Sequence, residues 1–349
     1  MVRSPFRLVG IALIFLLPSC GPFPPRITAG GATFVDPIMQ KWAGEYRSAH
    51  NVEIDYIKKG SGYGIRQMTE QMLQFGCTDA PMNAKELEAA HKIGGEVIHI
   101  PLALGAVCVV YNLPEITEPL KLSGDVLGNI FLRKITQWND EAIAQLNPGV
   151  NLPNEPIVPV TRAESSGTTY NFTEFLHAAC KGYPKDMLNK KPRWPDGVIA
   201  QEGSDGVTGH IKSNRYCIGY VEALFARRND LSIARVQNAK GNFILPESKN
   251  VSLALHETLL AYKPSAKSSK PDLTYVLANA PGAESYPISA ISYAILYRKQ
   301  NPKDGPIIVN FLKWATREGQ QYSTELEYAP LPESLVKLIH AKLDTVIFE

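Results

Sequence analysis

Three times along this chain a short β-prone stretch runs into a turn of Gly, Ser or Thr, and then into an apolar pattern of helical period. The first begins at Ile27, passes Gly30-Gly31-Ala32-Thr33-Phe34 and continues with Ile38, Trp42 and Tyr46 at i, i+4 and i+8. The second alternates Val52, Ile54 and Tyr56 with Glu53 and Asp55, turns at Gly60-Ser61-Gly62-Tyr63-Gly64, and predicts a helix face of Ile65, Met68 and Met72. The third is a strand over residues 157–160, closed by Arg162-Ala163-Glu164-Ser165-Ser166-Gly167-Thr168. Phe172, Phe175, Leu176 and Ala179 then mark a helix. Strands alternating with helices in this way make an α/β protein with largely parallel sheets, which bind ligands beyond the carboxyl ends of their strands. Two more β-rich stretches, residues 106–111 and 288–297, lie far apart in sequence. The segment around Phe311, Leu312 and Trp314 reads as a core-packed helix.

With 349 residues, 44% apolar and 20% charged, the chain has material for two cores and is too apolar and too neutral for disorder. Lys and Arg number 36 against 34 Asp and Glu, and the surplus is Arg3 and Arg7 near the N-terminus. A neutral body without a basic run argues against a nucleic-acid partner. Arg3 and Arg7 precede an apolar run from Leu8 to Leu17, too short to span a bilayer, then Leu17-Pro18-Ser19-Cys20. Residues 1–19 read as an export signal and Cys20 as the acylated first residue of a lipoprotein, with residues 20–26 a Pro-rich tether. A plain secretory peptide cut nearby is the alternative. Of the other cysteines, Cys77, Cys108, Cys180 and Cys217, the last two are the candidate disulfide, since both would fall in one lobe in the reading given below. No Cys/His spacing suits a metal, and no cofactor is expected. The Lys-rich stretch from Lys263 to Lys270 reads as a solvated loop.

Each turn places a hydroxyl and unpaired backbone N–H groups at the positive end of a helix dipole. One such turn is an ordinary cap. Three together, one carrying Arg162, suggest an anion held mainly by neutral donors, with a guanidinium fork suited to a tetrahedral oxyanion. Arg162 also suits a plain ion pair with Glu164. Enzyme signatures are missing: Lys59 stands where a nucleophile elbow needs Gly, and no phosphate-binding Gly-Lys-Ser/Thr or dinucleotide fingerprint occurs.

These turns, read with Phe75-Gly76-Cys77-Thr78-Asp79-Ala80-Pro81, Leu146-Asn147-Pro148-Gly149, Ile218-Gly219-Tyr220-Val221-Glu222 and residues 328–332, closely resemble the periplasmic phosphate-binding proteins of the bacterial high-affinity phosphate (Pst) ABC transporter. The resemblance implies a two-lobed Venus-flytrap fold of mixed, mostly parallel sheets. Residues 27–104 and 286–349 would form lobe one and residues 105–285 lobe two, joined by two crossing strands. It implies phosphate in the cleft, held by Ala32, Thr33, Phe34, Ser61 and Asp79 from lobe one and by Arg162, Ser166, Gly167 and Thr168 from lobe two. It further implies a monomer that binds phosphate and delivers it to the membrane permease, without enzymatic activity. Glu164 departs from the Asp usual in the family, and Cys77 from a small residue without a thiol.

Asp79 separates phosphate from sulfate, because a carboxylate in an anion site repels any ligand that brings no proton to it. The plainer role for Asp79 is a helix cap in its turn. Rival functions are a receptor for another oxyanion, such as sulfate or molybdate, and an exported phosphatase. The second would need a metal cluster or an activated nucleophile.

Overall fold

The computed structural model describes residues 24–261 and 273–349, so the export signal, Cys20 and the 263–270 loop lie outside the described residues. The chain alternates strand and helix from its start: β1 (Arg26–Gly31), α1 (Asp36–His50), β2 (Glu53–Lys58), α2 (Ser61–Thr69), β3 (Phe75–Thr78) and α3 (Ala84–Gly94). The long β4 (Val97–Tyr111) follows, then β5 (Lys121–Leu122), α4 (Gly124–Phe131), α5 (Glu141–Ala144), β6 (Val158–Arg162), α6 (Gly167–Ala179), β7 (Ile199–Gln201), α7 (Gly203–Ser213), β8 (Cys217–Glu222) and α8 (Ala223–Arg228). Three short strands, β9 (Ser232–Ile233), β10 (Arg235–Gln237) and β11 (Phe243–Ile244), lead to α9 (Ser248–Ala261). The chain ends with β12 (Ser289–Tyr297), β13 (Lys299–Gln300), α10 (Gly305–Ala315), α11 (Glu333–Leu343) and β14 (Ile347–Phe348).

The main sheet runs β2-β1-β3-β12-β4-β8-β6-β7, with β9 beside β4. It is less parallel than the alternation predicts. Parallel pairing is confined to its two outer groups, β2-β1-β3 and β8-β6-β7, while β12 and β4 join them antiparallel. The reason is β4, which belongs to both halves. Its residues up to Ala106 pair with β12, and from Val107 onward it pairs with β8, Val107 facing Glu222. Nearly every residue of β4 is buried, hence its unbroken apolar run. Pro101 cannot donate to a ladder, and the register slips beside it, between Ser292 and Tyr293 of β12. The return crossing is held to the first one, since Val107 N–H donates to Ile288 (2.9 Å) and Tyr286 Oη donates to the Val107 carbonyl (2.9 Å).

Ile38, Trp42 and Tyr46 bury one face of α1, and Phe172, Phe175 and Leu176 one face of α6. Met72 departs from its expected place on a helix face. Helix α2 stops at Thr69, Gln71 turns left-handed at φ 58°, and Met72 lies 68% exposed. The candidate disulfide is likewise corrected: Cys180 and Cys217 are both free, buried thiols, as are Cys77 and Cys108.

Candidate functional site

Strands β1, β2 and β3 of one half, and β6, β7 and β8 of the other, bring their carboxyl ends together between the halves. Each leads into a turn or helix start with donors unused by the helix. In the first turn Thr33 and Phe34 keep backbone N–H groups with no hydrogen-bond partner among the described residues. Gly60 precedes α2 at φ 89°, a conformation that favours glycine, and so aims Ser61 inward. Ser61 Oγ accepts the N–H of Gly167 (3.1 Å) and of Asp79 (3.1 Å), joining three of the predicted residues at one oxygen. A Cβ on Gly167 would fall 2.4 Å from that oxygen and 2.6 Å from Asp79 Cβ, so only glycine lets the start of α6 approach so closely. Ser166 caps the same helix by accepting Thr169 N–H (3.2 Å).

Arg162 ends β6 almost fully buried. Its Nε donates to Glu164 Oε1 (2.7 Å), and Nη2 donates to the same oxygen. The remaining guanidinium edge points the other way: Nη2 reaches Thr33 Oγ1 (3.0 Å), while Nη1 reaches Ser204 Oγ (3.1 Å) and Thr168 Oγ1 (3.4 Å). Glu164 uses its second oxygen to accept Gly203 N–H (3.3 Å), so the longer carboxyl side chain still fixes the plane of the arginine. The ion pair with Glu164 therefore coexists with a guanidinium edge turned toward the hydroxyls of Thr33, Thr168 and Ser204.

Asp79 follows β3 and is 2% exposed. Ser292 Oγ donates to Oδ1 (2.7 Å) and Ser61 Oγ to Oδ2 (3.3 Å). The cap that is the plainer alternative for it belongs to Asn83, whose side chain accepts from Lys85 and Glu86 at the start of α3. Burial, aided by the nearby Glu222 carboxyl, pushes the Asp79 carboxyl up to about 7, against the pull of Ser292, Arg162 and Ser61. Burial does the same to Glu174 on α6, also to about 7. A carboxyl raised by burial stabilises the fold in its protonated form. That contribution is complete below the range of an exposed carboxyl and is lost as pH rises through about 7. Ligand-free protein should accordingly withstand less urea at pH 8 than at pH 5. Asp79→Asn should remove part of that difference, and an unchanged dependence in the variant would show that Asp79 titrates unperturbed.

A family model for the PBP superfamily domain matches residues 21–318. Over 325 residues the chain is 37% identical to the phosphate-binding protein PstS of Pasteurella multocida (strain Pm70), covering 92% of this chain and 90% of that protein. The chain belongs to the PstS family. Its likeness extends to the phosphate-binding protein PstS of Methanocaldococcus jannaschii, 34% identical over 89% of this chain and 84% of that one. A solved high-affinity periplasmic phosphate-binding protein with bound phosphate superposes at a TM-score of 0.72 with 21% identity, covering 90% of this chain and 93% of the other. The two-lobed fold expected from the sequence is the fold of this PstS-family chain.

The expected site residues come from four separate segments, and the structure gathers them into two hydrogen-bonded groups, Ser61 with Asp79 and Gly167, and Arg162 with Thr33 and Thr168, joined through the Gly167–Thr168 peptide bond. Ala32 and Phe34 enter through the backbone: Ala32 N–H donates to the Cys77 carbonyl (3.0 Å), and the Phe34 carbonyl accepts from Tyr328 Oη. Four members were not singled out from the sequence. Ser204 opens α7 after the left-handed Gly203, a fourth strand–turn–helix unit that its Gly-Ser-Asp-Gly turn could have revealed. Asn171 donates to the Asp79 carbonyl (2.7 Å) across the halves. Ser292 and Glu222 lie inside buried strands, where nothing local distinguishes them.

Proposed function

We propose that this chain captures inorganic phosphate between its lobes and hands it to the membrane permease of a phosphate ABC transporter. It is a solute-binding protein rather than an enzyme. The observation that carries this reading is a buried carboxyl, Asp79, set among neutral donors opposite a single buried guanidinium. A fully ionised sulfate would meet that carboxyl with no proton to offer, whereas phosphate near neutral pH carries one. Ser61 Oγ donates to Asp79 and accepts two backbone N–H groups, so both its lone pairs are occupied and none is free to attack as a nucleophile. Phosphate would be held by Ala32, Thr33, Phe34, Ser61 and Asp79 from lobe one, and by Arg162, Ser166, Gly167 and Thr168 from lobe two. Titration calorimetry with phosphate, arsenate and sulfate tests this. Phosphate and arsenate should bind and sulfate should not; heat from sulfate alone would reassign the site.

Lobe one would be residues 27–104 with 286–349, and lobe two residues 105–285. Contacts such as Gly62 N–H to the Ser165 carbonyl (3.0 Å) and Lys190 Nζ to Glu86 (2.7 Å) join the two, as in a closed cleft. Because the ligand groups divide between lobes, phosphate favours closure only through contacts made with both. Adding phosphate should reduce the radius of gyration in X-ray scattering, and an unchanged radius with binding verified would exclude closure. A monomer exported through its first 19 residues and held to a membrane by lipid on Cys20 fits this role. Cys20→Ser should then release the protein to the soluble fraction with phosphate binding intact. Wild-type protein that is already soluble and carries no acyl mass would refute the anchor.

A further inference from the structure

Glu222 is a buried acid to which phosphate binding as described gives no part. It closes β8 opposite Val107, where β4 passes from one lobe to the other, and it is 2% exposed. Its Oε1 accepts the hydroxyl of Thr168 at 2.8 Å, and its Oε2 is buried with no hydrogen-bond partner among the described residues. A threonine hydroxyl has one proton to donate and two lone pairs. At Thr168 the proton is given to Glu222, and one lone pair faces Arg162 Nη1 at 3.4 Å. What remains for a ligand is a lone pair, which an unprotonated phosphate oxygen repels and a phosphate O–H satisfies. We propose that Glu222 is a positioning residue that holds the Thr168 hydroxyl as an acceptor, so that the site prefers the more protonated, monobasic form of phosphate. This rests on the reading that the cleft takes phosphate. The groups facing Glu222 are Asp79, Cys108 and Tyr328, with Arg162 reached through Thr168 and Arg227 beyond them drawn off by Glu327 (2.8 Å). Asp79 adds a pH dependence of its own, and since the Glu222 carboxyl helps to raise it, Glu222→Met also changes that part of the profile.

The test is phosphate affinity by calorimetry across about pH 6 to pH 8, where dibasic replaces monobasic phosphate. Wild-type affinity should fall across this range. Glu222→Met keeps the side-chain length, supplies no oxygen, and frees the Thr168 proton for the ligand, so its fall should be about tenfold smaller, the scale of one hydrogen bond. In a Thr168→Val background the same change should alter the profile less than it does in wild type, only its effect through Asp79 remaining, which separates hydroxyl orientation from the mere loss of a charge. Should Glu222→Met not fold, Thr168→Ser against Thr168→Val carries the test: serine retains the wild-type fall and valine flattens it. A Glu222→Met profile that parallels wild type, or an effect undiminished in the Thr168→Val background, overturns the assignment. Wild-type protein that takes up no phosphate at any pH refutes the phosphate reading itself.

Discussion

Asp79→Asn should admit sulfate. In the wild-type site a sulfate oxygen would face a buried carboxyl oxygen, which combines charge repulsion with an acceptor left unpaired. Sites of this kind discriminate by ~10⁴ or more. The substitution removes the charge and can turn an amide N–H toward the ligand, while its carbonyl oxygen still accepts from Ser292. Most of the phosphate-to-sulfate ratio should therefore collapse through a gain in sulfate affinity. The raised carboxyl supplies an internal check. With Asp79 pushed up to about 7, acid protonates it and makes it a donor, so wild-type protein should itself tolerate sulfate better near pH 5 than near pH 8, and Asp79→Asn should show no such trend. Ligand-free Asp79→Asn should melt no lower than wild type at pH 8, since a charge that burial disfavours has gone. A variant that still rejects sulfate as strongly as wild type would remove Asp79 as the discriminator.

What could be read in the sequence is what local physics determines. The apolar period of α1 and α6 and the Gly, Ser and Thr turns before the helices are short-range patterns, and residues 33, 61, 162 and 168 were legible from them together with the family resemblance. Met72 shows where this stops, because three apolar residues at helical spacing do not reveal that the chain turns left-handed at Gln71. Asp79 shows it differently. A cap and a buried acceptor look alike in a Thr-Asp-Ala-Pro turn, and only Asn83 capping α3 and Ser292 arriving from β12 separate them. Ser292 lies 213 residues from Asp79 in the chain, and Thr168 lies 54 from Glu222. Pairings at such distance are set by sheet order, which the hydrophobic pattern of any one strand does not encode. The mixed direction of the central sheet was expected from the family resemblance and not from the hydrophobic pattern, since a fully buried strand has no alternation by which to tell its neighbours.

Arg162→Ala should weaken phosphate binding by about 10- to 150-fold, the 1.5–3 kcal/mol range of a hydrogen bond to a charged group. Two features place the expected loss toward the upper end. Arg162 is almost fully buried, so its interactions are poorly screened by water. It also stands among the carboxyl groups of Asp79, Glu164 and Glu222, and its removal leaves them facing an anion with dipoles alone as counterweight. Arg162→Lys distinguishes charge from shape. A single ammonium cannot serve Glu164 on one edge and Thr33, Ser204 and the ligand on the other, so lysine should recover only part of the affinity. If Arg162 served merely to pair with Glu164, Glu164→Ala would be as harmful to folding as Arg162→Ala and neither would alter phosphate affinity. Calorimetry that finds Arg162→Ala within twofold of wild type would establish that structural role and exclude the guanidinium from the anion site.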